Sequence, residues 1–422
     1  MVYAHDNYQS IVLNKITQSN FRCYYKPHYN KYSLANLAPT ILTHFGKKSK
    51  NFINDNPVQN SLDGCHSIVL LLIDGLGFNL IKNSLHNKFL KQVYFNNVVI
   101  PLTSTFPSTT STALSTVNTG MTPSEHGIIG HTMYLRKYGT IANMVNFSPA
   151  SDRTSTGLTK FGFDPETFLP KDTLYQSLSK MDIQSKVLTR WIYKKSALSR
   201  MLHKGADVLP YVNSSDMFLN LSKLINKKTP FVFAYWDALD SASHVYGPFT
   251  EEVQSELRSI LYGLITEFIN NIKRQYRNKV CILITGDHGL VHVNKRGRIF
   301  TNTVPNLLDN LNRPPSGDSR TSFIKSDSSN NKKFKTIFSK YKNQLDIFPS
   351  DKFVKEGFYG SKIVNKDISS ALGDFTILSR KGTALMHRFK SDFKASLSGY
   401  HGGLTDDELF VPLFIIKPEN LD

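Results

Sequence analysis

A chain of 422 residues with 40% hydrophobic and 12% aromatic content can bury a large core, which excludes a disordered or low-complexity class. Its 51 Lys and Arg against 33 Asp and Glu leave a formal net charge of +18, a balance that suits anionic partners. The three cysteines, Cys23, Cys65 and Cys281, form no CxxC pair, which excludes a thiolate metal centre and a disulfide framework.

The lysines are scattered rather than gathered in one stripe, so the basic excess reads as surface composition before it reads as a nucleic-acid footprint. The first twenty residues carry no apolar signal-peptide core, and the longest apolar runs are too short to cross a bilayer. The expectation is a soluble cytoplasmic protein with no membrane partner.

Residues 1–66 mix short apolar pieces with Asn, Tyr and Lys and read as an N-terminal extension packing on the core. Within them, residues 33–46 have helical spacing, Ser33 as a cap and Gly46 as a stop, with Pro39 placed to break or kink the helix. Residues 67–73 (SIVLLLI) are continuously apolar, as a central parallel strand covered on both faces would be. The run ends in Asp74-Gly75-Leu76-Gly77 and passes into a helix-like segment over 78–90. A second strand is expected over 93–102. It leads into the hydroxyl-rich tract 103–120, where Ala113, Leu114 and Val117 recur at helical spacing behind Pro107. A helix starting near residues 108–111 would point its positive end at an anion.

Residues 121–150 read as loop and hairpin. A helix over 171–181, a strand over 185–189 and a helix near 214–225 follow. Residues 230–236 (PFVFAYW) form another buried-type strand, ending in Asp237-Ala238-Leu239-Asp240. A long helical pattern over 251–274 then feeds the strand 280–285, which ends in Gly286-Asp287-His288-Gly289. From 291 to 394 the signals weaken to a hairpin around 294–297, a basic stretch over 325–342 and Gly-punctuated strands, as in an inserted or capping subdomain. The chain returns at 395–422, with a final strand over 410–416. Alternating strands and helices over 67–290 argue an α/β fold: three αβα layers, a mostly parallel central sheet and an inserted smaller subdomain.

Three strand ends thus carry the same kind of residue: Asp74, Asp237 or Asp240, and Asp287 with His288. Parallel strands put these ends on one edge, the ligand-binding edge of an open α/β sheet. His244 follows Asp240 at i+4, so a helical turn aims both at one point. His401 joins from a Gly-flanked loop, whereas His126 has no evident partner and reads as structural. Three carboxylates and three imidazoles, with a hydroxyl or water added, suffice for two divalent ions. Such a pair about 3.5–4 Å apart is a device for phosphoryl and sulfuryl transfer.

The stretches LLLIDGLG, FPSTTSTALSTVNTGMTPSEHGIIGH, DALDSASHVYGP, TGDHGL and GYHGG, in this order over residues 70–403, resemble the alkaline phosphatase superfamily. Within it they are similar to the nucleotide pyrophosphatase/phosphodiesterase branch. Residues 1–60 and 291–394 match no motif of that family. The resemblance implies that Asp74, Asp287, His288 and the nucleophile hold one zinc-like ion, and that Asp240, His244 and His401 hold the other. Asp237 falls outside the ligand set. Thr105, Ser108, Thr109 and Thr110 all stand near the nucleophile position. A following Phe-Pro favours Thr105, but the family distance back from Gly120 and the expected helix start select Thr110. His131 stands where many phosphodiesterases have Asn, and would donate to a non-bridging phosphoryl oxygen.

The implied activity is hydrolysis of a small anionic substrate, a phosphate diester or pyrophosphate of nucleotide type, through a phospho-threonine, with two divalent cations, zinc foremost. The alternatives are a phosphomonoesterase, a phosphonate hydrolase or an inactive basic nucleic-acid-binding protein. Retention of all six candidate ligands argues against the last, and no nucleic acid is required.

Overall fold

The computed structural model describes residues 2–152, 157–326, 331–361, 366–390 and 397–421. Seven strands make the central sheet: β1 Ser67–Ile73, β2 Val98–Thr103, β3 Ser185–Arg190, β4 Asp207–Tyr211, β5 Phe231–Trp236, β6 Val280–Thr285 and β7 Phe410–Ile416. They lie in the order β2-β7-β6-β1-β5-β3-β4. β1 is paired in parallel with β5 and β6, and β3 in parallel with β5 and β4. β7 alone runs against its neighbours, β6 and β2.

Strict alternation sorts β1 between two apolar layers. Ile68, Leu70 and Leu72 enter one core cluster, and Val69, Leu71 and Ile73 enter the other. Every residue of β1 is buried, which is why the strand is apolar without a polar face. Helices Leu37–His44, α1 Thr110–Thr119 and Ala197–Leu202 cover the first side. Helices Lys88–Asn96, Ser214–Asn226 and Glu251–Gly263 cover the second, giving the expected αβα layers.

A second, antiparallel sheet of seven short strands joins two distant parts of the chain. Its order is Leu345–Pro349, Phe375–Ser379, Thr321–Ile324, Ser316–Gly317, Thr132–Leu135, Thr140–Asn143 and Ser148–Pro149. The basic helix Asn331–Ser339 packs against it through buried Phe334 and Phe338, with Phe334 stacked on Phe375 at 4.8 Å between ring centroids. Among the described residues, no helix is long and apolar enough to cross a membrane.

Several expected elements differ in detail. The strand expected from residue 93 begins at Val98, because Asn87 accepts the Leu90 N–H and caps a helix that runs to Asn96. The helix-like stretch 78–90 is accordingly split into two helices. Pro39 does not break its helix: it lies in the first turn of Leu37–His44, where its missing N–H leaves no bond unmade. The pattern over 251–274 is helical to Gly263 and then widens into a π-turn over Leu264–Ile269. A Cβ on Gly263 would come 2.6 Å from the Phe218 ring, so only glycine fits there. The hairpin expected around 294–297 is a single 3-10 turn capped by Asn294. Its flanking strands pair elsewhere, Val291–His292 with Gly399–Tyr400 and Arg298–Phe300 with Ala384–Met386.

Candidate metal centre and nucleophile

The carboxyl ends of β1, β5 and β6 meet at one point. Asp74 follows β1, and its backbone N–H donates to Trp236 O at the end of β5. The Gly75 N–H donates to Asp287 Oδ1 at 3.0 Å, tying the β1 end to the β6 end. Gly75 has φ +77°, and a Cβ there would stand 2.9 Å from Asp240 Cα. Glycine therefore lets helix α2, Ala238–Tyr246, close onto the β1 end.

Three carboxylates and three imidazoles gather at this edge. His288 Nε2 lies 3.5 Å from Asp74 Oδ1, 3.4 Å from Asp287 Oδ2 and 3.2 Å from Thr110 Oγ1. On α2, Asp240 Oδ2 is 3.3 Å from His244 Nε2, as the i, i+4 spacing requires. The His401 ring stacks on His288 at 3.8 Å and lies 5.0 Å from His244, between centroids. His244 Nδ1 donates to Gly399 O, and His288 Nδ1 faces Gly289 O at 3.3 Å. A carbonyl can only accept, so Nδ1 carries a proton in each ring and Nε2 is the nitrogen turned toward the cluster, the arrangement of metal-ligating imidazoles.

Two sets of donor atoms lie within 4.8 Å of one another: Asp74, Asp287 and His288, and Asp240, His288 and His401. Burial, reinforced by the charges of Asp287 and Asp240, pushes the Asp74 carboxyl well above its usual range. Burial likewise raises Asp240 and Asp287 and lowers His288 and His401, the last also through the neighbouring imidazoles. Asp74 Oδ1, Asp240 Oδ1, Asp287 Oδ2 and His401 Nδ1 are buried without hydrogen-bond partners. A donor set of carboxylate oxygens and imidazole nitrogens with lone pairs left over fits a divalent cation of the zinc type.

The four hydroxyls of the tract are distinguished by their partners. Thr105 is fully buried and donates to Pro107 O, Ser108 donates to Gly403 O, and Thr109 donates to Asp318 Oδ1. Thr110 is the one that meets the cluster, at the first turn of α1. His131 is exposed on the wall of a cavity of about 430 Å³ that also touches His244, His401 and Asp318. Its imidazole Nε2 is 3.0 Å from the Asn143 amide nitrogen. Asp237 stays outside the cluster, held by Arg190 Nη1 at 3.1 Å and the Tyr193 hydroxyl at 2.6 Å. His126 is structural: Nδ1 accepts the Ile128 N–H, and Nε2 bonds the Thr116 hydroxyl inside α1.

Sequence reasoning missed three supports of this site. The Tyr235 hydroxyl donates to Asp74 Oδ2; its signal was a lone hydroxyl-bearing ring near the end of an apolar strand. Asp318 accepts both the Thr109 hydroxyl and, at 2.9 Å, the His131 N–H, from a stretch with no motif. Arg320 and Glu408, both fully buried, form a forked pair at 2.9 and 3.0 Å. Glu408 also accepts the Gly403 N–H and the Thr405 hydroxyl, so the pair fixes the turn that presents His401. Arg320→Ala strands the Glu408 charge, and is expected to cost about 3–5 kcal/mol in urea denaturation. A loss under about 1 kcal/mol would show that the pair does not hold the turn.

The family model described as Type I phosphodiesterase / nucleotide pyrophosphatase matches residues 68–404. Bis(5'-adenosyl)-triphosphatase ENPP4 of Homo sapiens is 22% identical over 245 residues, covering 53% of this chain and 47% of the relative. The match thus spans about half the length of that relative. Murine ectonucleotide pyrophosphatase/phosphodiesterase 5, solved as an inactive threonine-to-alanine form in complex with AMP, superposes with a TM-score of 0.63 at 17% identity. That match covers 83% of this chain and 87% of the other. Phosphonoacetate hydrolase from Sinorhizobium meliloti 1021, in complex with phosphonoformate, gives a TM-score of 0.61 at 16% identity, over 83% and 89%. At these identities the solved structures establish a shared fold.

Proposed function

Because the chain belongs to the type I phosphodiesterase / nucleotide pyrophosphatase family, we propose that it hydrolyses phosphate diesters or pyrophosphates, with Thr110 as the nucleophile. The observation that carries this reading is the Thr110 hydroxyl, 3.2 Å from His288 and at the head of a helix, beside six candidate ligands. Asp74, Asp287, His288 and Thr110 would hold one divalent cation, and Asp240, His244 and His401 a second, with zinc favoured by the donors. When bound, such a pair lowers the pKa of the hydroxyl and neutralises charge on the leaving oxygen.

Thr110 Oγ forms a bond to phosphorus in line with the departing oxygen, which leaves with the bonding pair and takes a proton from water. The hydroxyl proton passes to solvent. Water then attacks the phospho-threonine, the P–Oγ bond breaks, and Thr110 regains its proton. The α1 N-terminus favours the anionic phosphoryl group. His131, on the cavity wall, would donate to a non-bridging oxygen.

Among the described residues, no arginine lines the cavity of about 430 Å³ beside His401 or the smaller one, of about 100 Å³, beside Thr110. A monoester dianion would therefore lack the bidentate partner that suits it, which favours a diester. Parallel assays of bis-p-nitrophenyl phosphate, p-nitrophenyl phosphate and phosphonoacetate test this. The diester is expected to have the highest kcat/KM, by about tenfold or more. A higher efficiency on the monoester or the phosphonate would overturn the diester reading.

A further inference from the structure

The stretch that matches no motif, residues 291–394, builds a third cavity together with the strand that follows His131. It measures about 430 Å³ and shares no lining residue with the two cavities beside the metal centre. Helix Lys366–Leu372 packs against strand Thr132–Leu135 and the turn Arg136–Tyr138, and the cavity lies where these meet. Its walls carry Arg136, Arg313, Lys325, Tyr134, Ser369 and Asp374 among others.

Three of these side chains are cations and one is a carboxylate, and the carboxylate is already committed. Asp374 Oδ1 accepts from Lys325 Nζ at 2.7 Å, and its Oδ2 accepts both the N–H and the hydroxyl of Ser326 at 3.0 Å. Neither arginine has a carboxylate partner among the described residues. Arg136 is exposed. Arg313 is half-buried and held in place: its guanidinium carbon lies 4.1 Å from the Tyr134 ring centroid. Arg313 Nη2 donates to Ser370 O and, at 3.1 Å, to Ala371 O, carbonyls at the end of the helix that favour a cation. Its Nε, which is buried, and its Nη1 have no partner among the described residues. A guanidinium fixed by stacking, with donors unspent, is a preformed receptor for an oxyanion.

Three cations against one carboxylate leave two positive charges for an occupant. A phosphate monoester brings about 1.5–2 negative charges at pH 7 on a single group with three acceptor oxygens, which matches both the charge and the donors. The volume falls in the range that holds small organic ligands, about 300–1,000 Å³. We propose that this cavity is a second, non-catalytic anion site, which takes the phosphate group of a small phosphate monoester. Arg136 and Arg313 bind the phosphate oxygens, and Lys325 adds positive charge beside them. The assignment rests on the charges and donors of this cavity alone and stands apart from the diester reading.

Phenylglyoxal modification of the metal-loaded protein, mapped by mass spectrometry, tests this because it reports each arginine separately. Methyl phosphate is expected to slow modification of Arg136 and Arg313 saturably, by about fivefold or more, and to leave the exposed Arg296 unchanged. Malonate at equal ionic strength splits its charge over two carboxylates and should protect less than about twofold. No protection of Arg136 and Arg313, or equal protection of Arg296, would overturn the site. Equal protection by malonate would overturn the phosphate assignment. Arg313 also holds the end of a helix, so the exposed Arg136 is the residue to vary. Arg136→Ala should raise the methyl phosphate concentration that half-protects Arg313 by about tenfold, while kcat/KM on the diester stays within about twofold. An unchanged half-protecting concentration, or diester hydrolysis that falls in step with it, would place methyl phosphate at the metal centre and overturn the second site.

Discussion

Thr110→Ala is expected to lower kcat on a phosphate diester by at least about a thousandfold, the scale set by removing other covalent nucleophiles. Thr105→Ala, in contrast, should keep activity within about threefold of the parent, because it removes a hydroxyl that serves only a local turn. The two side chains lie five residues apart in one hydroxyl-rich tract, and both have motif-based claims to the role. Their environments decide between them. The Thr105 hydroxyl is fully buried and donates to Pro107 O at 2.8 Å, so its loss costs a single hydrogen bond, about 1 kcal/mol. The Thr110 hydroxyl opens on the smaller cavity and lies 3.2 Å from an imidazole that also faces Asp74 and Asp287. Steady-state kinetics gives the ranking, and acid quench with a ³²P-labelled diester gives the covalent species. Label retained by Thr105→Ala and absent from Thr110→Ala is the expected pattern. The reverse pattern would move the nucleophile to Thr105 and put the bond to Pro107 O in need of rearrangement.

The site was legible where chemistry sits directly on the strands. β1, β5 and β6 are buried on both faces, so each reads as an unbroken apolar run, and a carboxylate or imidazole just beyond it stands out. Asp240 and His244 were legible because a helix brings i and i+4 together without help from the rest of the chain. The second sheet was not legible. All seven of its strands are two to five residues long, too short for periodicity, and Gly317 pairs with Thr132 across 185 residues. Asp318 and Arg320 belong to that sheet's loops, so their roles appear only once His131, Thr109 and Glu408 are brought to them. The strand expected from residue 93 was misplaced for a local reason. The apolar residues Val93 and Tyr94 face the core from a helix as readily as from a strand, and the Asn87 cap decides in favour of the helix.

Removal of metal should abolish hydrolysis and lower stability together. Four buried polar atoms, one each on Asp74, Asp240, Asp287 and His401, have no hydrogen-bond partner. Each such atom costs about 1–3 kcal/mol. Four of them would take up much of the 5–15 kcal/mol by which a domain is stable. Three buried carboxylates whose pKa values are pushed up, by burial first and then by a neighbouring carboxylate, add to that cost unless positive charge offsets it. A cation that binds only the folded chain stabilises it by about 2.7 kcal/mol at a hundred times its Kd, so Tm should rise on metal addition. Protein dialysed against a chelator is therefore expected to lose activity to background and to recover it with about two equivalents of zinc. Asp287→Ala and Asp240→Ala should each bind about one equivalent fewer in calorimetric titration, because the two carboxylates belong to different donor sets. A preparation with under one-tenth equivalent of bound metal that still turned over at the full rate would leave Thr110 without its activator. The six residues would then be a polar network rather than a metal centre, and their unpartnered atoms would need another occupant.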